Sequence, residues 1–180
     1  MVNQLFYIMS CIILLSSCKP QLDVAKNSLY TDYMTFKYER SCNKLDYFNK
    51  VNVSTDKNLF YTSHFSISLP KKLVYWKITS NMFYFEYRSK QIIYLYTAYK
   101  NKGDESEIWE TRDLGKGKEY SYLNEYWVKE RRYNQSKLYN RNKNRITKLY
   151  TNGKYEILLY NIKKNKYLNF LESAMTFNDK

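Results

Sequence analysis

Arg145–Ile162 (RITKLYTNGKYEILLYNI) is the segment that most limits what this chain can fold into. Asn152-Gly153 is the favoured centre of a two-residue type I′ hairpin turn, because both residues tolerate a positive φ. The flanking arms, Arg145–Thr151 and Lys154–Ile162, are rich in β-branched and aromatic residues. In the second arm Ile157 and Leu159 point to one side, and Leu158 and Tyr160 to the other. A strand that is apolar on both faces belongs in the middle of a sheet, covered above and below by helices or by a second layer.

The preceding section supplies further strands. Phe65, Ile67 and Leu69 alternate with Ser66 and Ser68, and Pro70 ends the run, which gives a half-buried strand. Leu73–Thr79 and Met82–Arg88 flank Ser80-Asn81, and Gln91–Tyr99 follows Ser89-Lys90; the three runs predict an antiparallel meander. Leu29–Lys50 reads as a short helix or an irregular strand, and 51–58 as a polar connection. Asp104 is placed to cap a short helix over Glu105–Asp113, ended by Leu114-Gly115-Lys116-Gly117. Glu119–Leu138 has Tyr120, Leu123 and Trp127 at helical spacing, which predicts that they face the core. Tyr167, Leu168, Leu171 and Glu172 predict a short amphipathic helix, and Ala174–Phe177 a last edge strand.

The expected fold class is therefore α+β, an antiparallel β-sheet flanked by helices, occupying residues 58–180. The stretch Phe65-Ser66-Ile67-Ser68-Leu69-Pro70 at one end and Leu168–Phe177 at the other resemble the PsbP-like α/β sandwich. That resemblance implies a binding, adaptor or assembly module without catalysis.

The first residues read as an address. Met1–Ser17 has no Lys, Arg, Asp or Glu, and Leu5–Leu15 is an apolar run with one Ser. A membrane-spanning helix needs about 20 apolar residues, whereas a secretory h-region needs about 7–15. Leu15-Ser16-Ser17-Cys18 resembles the bacterial lipobox. The resemblance implies that residues 1–17 are a signal peptide and that Cys18 is acylated and becomes the first mature residue. Residues 18–57 would then hold the lipidated Cys, a tether and an irregular N-terminal segment. Lys19, in place of an Asp, points to the outer membrane rather than inner-membrane retention. With Cys11 removed and Cys18 acylated, only Cys42 remains, so no intramolecular disulfide is available.

The formal net charge of +13 is unevenly spread. Lys129–Lys166 holds twelve Lys and Arg against Glu130 and Glu156 alone. A basic face steers anionic partners. For an exported protein the candidates are an acidic protein, an anionic lipid or an acidic glycan, and not nucleic acid. Lys, Asn and Tyr also share AT-rich codons, so genome composition is the competing source of this charge. The candidate binding surface comprises Tyr126, Trp127, Arg131, Arg132, Arg141, Arg145, Lys163 and Lys164.

Catalytic and metal signatures are absent from the sequence: no CxxC, HExxH, acidic EF-hand loop, phosphate loop or GxSxG. His64 is the only histidine, which leaves Cys42 with one candidate base. The glutamate pairs Glu107/Glu110 and Glu125/Glu130 are the remaining acid–base candidates. The expectation is a lipid-anchored, non-enzymatic protein-binding module without cofactor or metal, in its specific form an immunity protein against an antibacterial toxin. The alternative is an envelope module that binds anionic lipid or glycan.

Overall fold

The computed structural model describes residues 34–39, 43–49, 54–55, 58–59, 64–79, 82–97, 108–115, 117–138, 142–153 and 155–180. The described strands are β1 (Met34–Glu39), β2 (Lys44–Asn49), β3 (Ser54–Thr55), β4 (Asn58–Leu59), β5 (His64–Ser68), β6 (Leu73–Thr79), β7 (Met82–Tyr87), β8 (Gln91–Thr97) and β9 (Glu110–Arg112). Helix α1 (Glu119–Asn124) runs on into a π-helical turn, Glu125–Glu130. Strands β10 (Arg145–Thr151) and β11 (Tyr155–Lys163), helix α2 (Tyr167–Ala174) and β12 (Asn178–Asp179) complete the order.

The frame is a six-stranded antiparallel sheet, ordered β6-β7-β8-β11-β10-β9. The expected meander is present as β6-β7-β8, and β11 lies in the interior of the sheet beside β8. Its side chains divide as their alternation requires. Ile157 and Leu159 join Phe83, Phe85, Ile93 and Leu95 on one face. Leu158 and Tyr160 join Tyr84, Ile92 and Tyr94 on the other. The first face packs against a second sheet, ordered β1-β2-β5-β12, and against α2 through Phe170 and Ala174. The second face carries α1 and its π-helical continuation through Leu123, Tyr126 and Trp127. The protein is thus α+β with antiparallel sheets: helix on one side of the main sheet, a smaller sheet and a helix on the other.

Several expectations change. Strand β5 lies in the other sheet, paired with β2 and β12, and Pro70 and Lys72 (φ 70) stand where the chain turns from it into β6. Leu45 and Tyr47 of β2 are in the core, so the folded body starts before residue 58 and includes part of Leu29–Lys50, the stretch expected as a short helix or irregular strand. The 51–58 connection contains the two-residue ladder β3-β4. Glu110–Arg112 is not helical; it pairs with Thr151, Tyr150 and Leu149 at the edge of β10, and ladder hydrogen bonds there outweigh a marginal helix cap. The expected capping residue Asp104 lies outside the described residues. Ala174 ends α2, and the last strand is Asn178–Asp179. Within α2, Phe170 and Ala174 supply the buried stripe while Leu168 is 69% exposed.

The last hairpin turns one residue later than expected. The Asn152 N–H donates to the Tyr155 carbonyl at 3.3 Å, and Asn152 Oδ1 accepts from the Tyr155 N–H at 2.8 Å. Asn152 therefore closes the turn, and Gly153 (φ 88) takes its left-handed position.

Aromatic rings bind the two sheets together. Tyr47 packs against Phe65 and edge-on against Phe83, with centroids 5.3 and 4.7 Å away. The Tyr47 hydroxyl is buried and has no hydrogen-bond partner among the described residues. Burial pushes its pKa up, and the cost of an unpaired hydroxyl exceeds the benefit of keeping it. Tyr47→Phe is expected to leave stability unchanged or raise it by about 1 kcal/mol in a denaturant melt. A loss of more than about 1 kcal/mol would contradict an unpaired hydroxyl.

Candidate functional site

On β7 the alternation places Met82, Tyr84 and Glu86 beneath the helix. Glu86 is only 3% exposed. Its carboxylate accepts from the Tyr126 hydroxyl at 2.6 Å, the Tyr133 hydroxyl at 2.8 Å and Arg131 Nε at 2.8 Å. A buried carboxylate is tolerated only when paired and hydrogen-bonded, and here three donors meet it. The Arg131 guanidinium also lies 4.2 Å from the Tyr75 ring centroid, and its Nη2 donates to the Tyr133 hydroxyl. Beside it Glu130 accepts from the Tyr75 hydroxyl and pairs with Lys77 Nζ at 3.2 Å. Burial and the Glu130 bond push the Tyr75 phenol up to about 12. The Tyr75 hydrogen bond, with help from Lys77, holds Glu130 below the usual carboxylate range.

The π-helical turn makes this cluster. The Arg131 N–H donates to the Tyr126 carbonyl at 2.9 Å, five residues back. The wider turn lets the adjacent Tyr126 and Trp127 both face the sheet. Glu119, Leu123, Tyr126 and Trp127 form the buried stripe. Tyr120, expected in the core, is 39% exposed instead.

The expected binding surface separates into three groups. Tyr126 and Trp127 are each 1% exposed and belong to the core, so they offer no surface to a partner. Their aromatic area is spent on the sheet: Tyr126 stacks on Tyr84 at 4.6 Å, and Trp127 meets Tyr160 edge-on at 5.6 Å. Arg131 is held by Glu86. Arg132, Arg145, Lys163 and Lys164 remain at the surface or its margin. Arg141 lies outside the described residues, as do Cys18 and Cys42.

One end of the sandwich gathers the remaining cations. The β7–β8 turn presents Arg88 and Lys90. The Lys90 ammonium sits 3.9 Å from the Tyr133 ring centroid and 5.1 Å from that of Trp127. Burial lowers its pKa, and the nearby charges of Lys137 and Arg131 lower it further. Asn161 fastens β11 to the same turn, its Nδ2 donating to the Ser89 carbonyl at 3.0 Å and the Lys90 carbonyl at 2.9 Å. Asn161 belongs to a β-bulge, where Tyr160 and Asn161 together oppose Thr147. Arg145 pairs with Lys163 across the strands, and the Lys164 N–H donates to the Asn144 carbonyl.

The same end is conformationally strained. Ser89, Lys90, Arg132 and Asn161 all have a positive φ, between 52° and 63°. A left-handed L-residue costs about 1–2 kcal/mol, least for Asn. Ser89→Gly relieves that cost while adding freedom to the unfolded chain. It is expected to stabilise the protein by about 0.5 kcal/mol in a denaturant melt. A clear loss of stability would instead place the Ser89 side chain in a bond that the fold requires.

Next to the bulge lies a cleft of about 230 Å³, lined by Glu119, Asn142, Arg145, Thr147 and Tyr160 among others. Its polar groups largely bond each other. Glu119 Oε2 accepts from the Gly117 N–H, the Tyr160 hydroxyl donates to the Leu138 carbonyl, and Arg145 Nη1 donates to the Asn161 carbonyl. Among the described residues no group of three His, Cys, Asp or Glu is placed to hold a metal. Among them, too, no helix is long and apolar enough to cross a membrane. Of the acid–base pairs named from sequence, Glu125 and Glu110 are exposed, Glu130 is tied to Tyr75 and Lys77, and Glu107 lies outside the described residues.

No family model, curated protein or solved structure matches the chain.

Proposed function

We propose that this chain is an exported lipoprotein, acylated at Cys18 after removal of residues 1–17, whose α+β body is a non-enzymatic module that binds a protein partner. The observation that carries the reading is the uncharged leader ending in Leu15-Ser16-Ser17-Cys18. Two or more acyl chains anchor a protein stably where one anchors it only marginally. The leash would hold the body at the outer membrane.

The inner chemistry supports a binding role. Between helix and sheet, Glu86 is engaged by Arg131 and Tyr133, and Glu130 by Tyr75 and Lys77, so these polar groups are occupied in holding the fold. In its specific form the protein is an immunity protein that neutralises an antibacterial toxin at the envelope. The likeness to the PsbP-like sandwich belongs with this reading, because families of that fold act mainly by binding. The test is affinity purification of the full-length tagged chain from detergent-solubilised envelopes at low and moderate salt. One protein recovered in a fixed stoichiometric ratio is the expected result. Recovery of phospholipid or glycan alone overturns protein binding in favour of an anionic envelope ligand.

A further inference from the structure

We infer that the end of the sandwich formed by the β7–β8 turn, the loop after the π-helical turn and the β10–β11 bulge is a preorganised docking surface for an acidic protein. The inference rests on the binding-module reading and names where the partner sits and what charge it carries.

Three observations converge there. The first is charge. Arg88, Arg132, Lys137, Lys143 and Lys164 are exposed, and Lys90 is half-buried beside them. Two described carboxylates of this region are already used: Glu86 takes Arg131 and two phenols, and Glu130 takes Tyr75 and Lys77. Among the described residues, these two carboxylates are thus engaged by other partners and leave the exposed cations without an ion pair to them.

The second observation is frustration. The Lys90 ammonium, seated over the Tyr133 and Trp127 rings, has its pKa lowered first by burial and then by the charge of Lys137, with Glu86 opposing and Arg131 adding to the repulsion. The Tyr133 and Trp127 rings hold the ammonium in place but do not neutralise the neighbouring cations. An anionic partner turns the repulsion into attraction, and long-range steering then speeds the encounter.

The third is rigidity. Four left-handed non-glycine residues, Ser89, Lys90, Arg132 and Asn161, occur at this end. Asn161 ties two of them together through the Ser89 and Lys90 carbonyls. Strained backbone persists where surrounding structure fixes it, and it concentrates at ligand clamps. Rigid placement of cations favours a partner whose carboxylates are also fixed, because little freedom remains to be lost on binding. A fluid lipid surface rearranges around any pattern of cations and draws no such advantage. Strain and charge together therefore favour an acidic protein over a membrane.

The experiment uses the full-length chain in cells, with a photo-reactive benzoylphenylalanine at Lys143 or Lys164. The control position is Ile108, exposed beside the edge strand β9 at the other end of the sheet. The expected result is a cross-link from Lys143 and Lys164, but not from Ile108, to one protein with an acidic surface. The combined substitutions Arg132→Glu and Lys137→Glu, whose side chains are not among the three that bond Glu86, should lower its yield at least tenfold. Circular dichroism confirms that this variant folds. Cross-links to lipid or glycan, equal yield from Ile108, a partner without an acidic surface, or indifference to charge reversal would each overturn the inference. Membrane fractionation of the same cells reads the tether separately. A membrane-bound chain with no such cross-link removes the docking surface and keeps the anchor. A soluble chain with a charge-dependent cross-link does the reverse.

Discussion

Trp127→Ala should destabilise the protein by about 3–5 kcal/mol, the usual range for deleting a large buried aromatic. For a chain of this length that lowers Tm by roughly 10 °C or more. The ring is 1% exposed, lies edge-on to Tyr133 and Tyr160, and donates its indole N–H to the Asn134 carbonyl at 3.0 Å. Removing it leaves a cavity between helix and sheet, an unpaired carbonyl, and a Lys90 ammonium that has lost one of its two rings. The experiment also decides between core and surface. A tryptophan displayed for a partner would cost less than about 0.5 kcal/mol on truncation. A thermal or urea melt of the purified chain gives the answer directly.

Glu86→Ala is expected to cost about 3 kcal/mol, because breaking one side of a buried ion pair strands its partners. Tyr126 and Tyr133 lose their acceptor, and Arg131 keeps a charge whose side chain is three-quarters buried. Arg131 can partly swing into water, which holds the effect near the lower end of the range for such pairs. Replacing Glu86 and Arg131 together by Met should recover the part of the loss that comes from the stranded charge, while Tyr126 and Tyr133 still lack their acceptor. If the double substitution is as unstable as Glu86→Ala alone, the cluster does more than offset its own desolvation. If Glu86→Ala costs under about 1 kcal/mol, the network does not pin the helix to the sheet.

The strands were legible where apolar alternation and punctuation agree. Leu73–Thr79 and Arg145–Thr151 fall where their composition places them, and the two-sided pattern of β11 correctly implies cover on both faces. The sequence was silent where partners lie far apart along the chain. Leu45 and Tyr47 enter the core only because β2 pairs with β5, and no local period announces that. Glu86 sits in an aromatic run and looks like an ordinary outward polar residue, yet its donor Arg131 is 45 residues away. The π-helical turn shifts the helix stripe, so an α-helical spacing keeps Tyr120 inside and leaves Tyr126 on the candidate surface. Of the proposed surface, the cations within Lys129–Lys166 were readable from the sequence, whereas Arg88 and Lys90 of the β7–β8 turn were not. Their gathering at one end depends on the Asn161 bulge and on the strained β7–β8 turn, features that only the folded chain displays.

The account depends on fatty acylation at a single sulfur. Cells expressing the full-length chain and its Cys18→Ser form should be grown with radiolabelled palmitate, and both proteins then isolated and fractionated. The intact chain should carry label, show the mass loss of residues 1–17 and sediment with membranes; the serine form should carry no label and keep its leader. Equal labelling of both, or no label in the intact chain, would contradict the account.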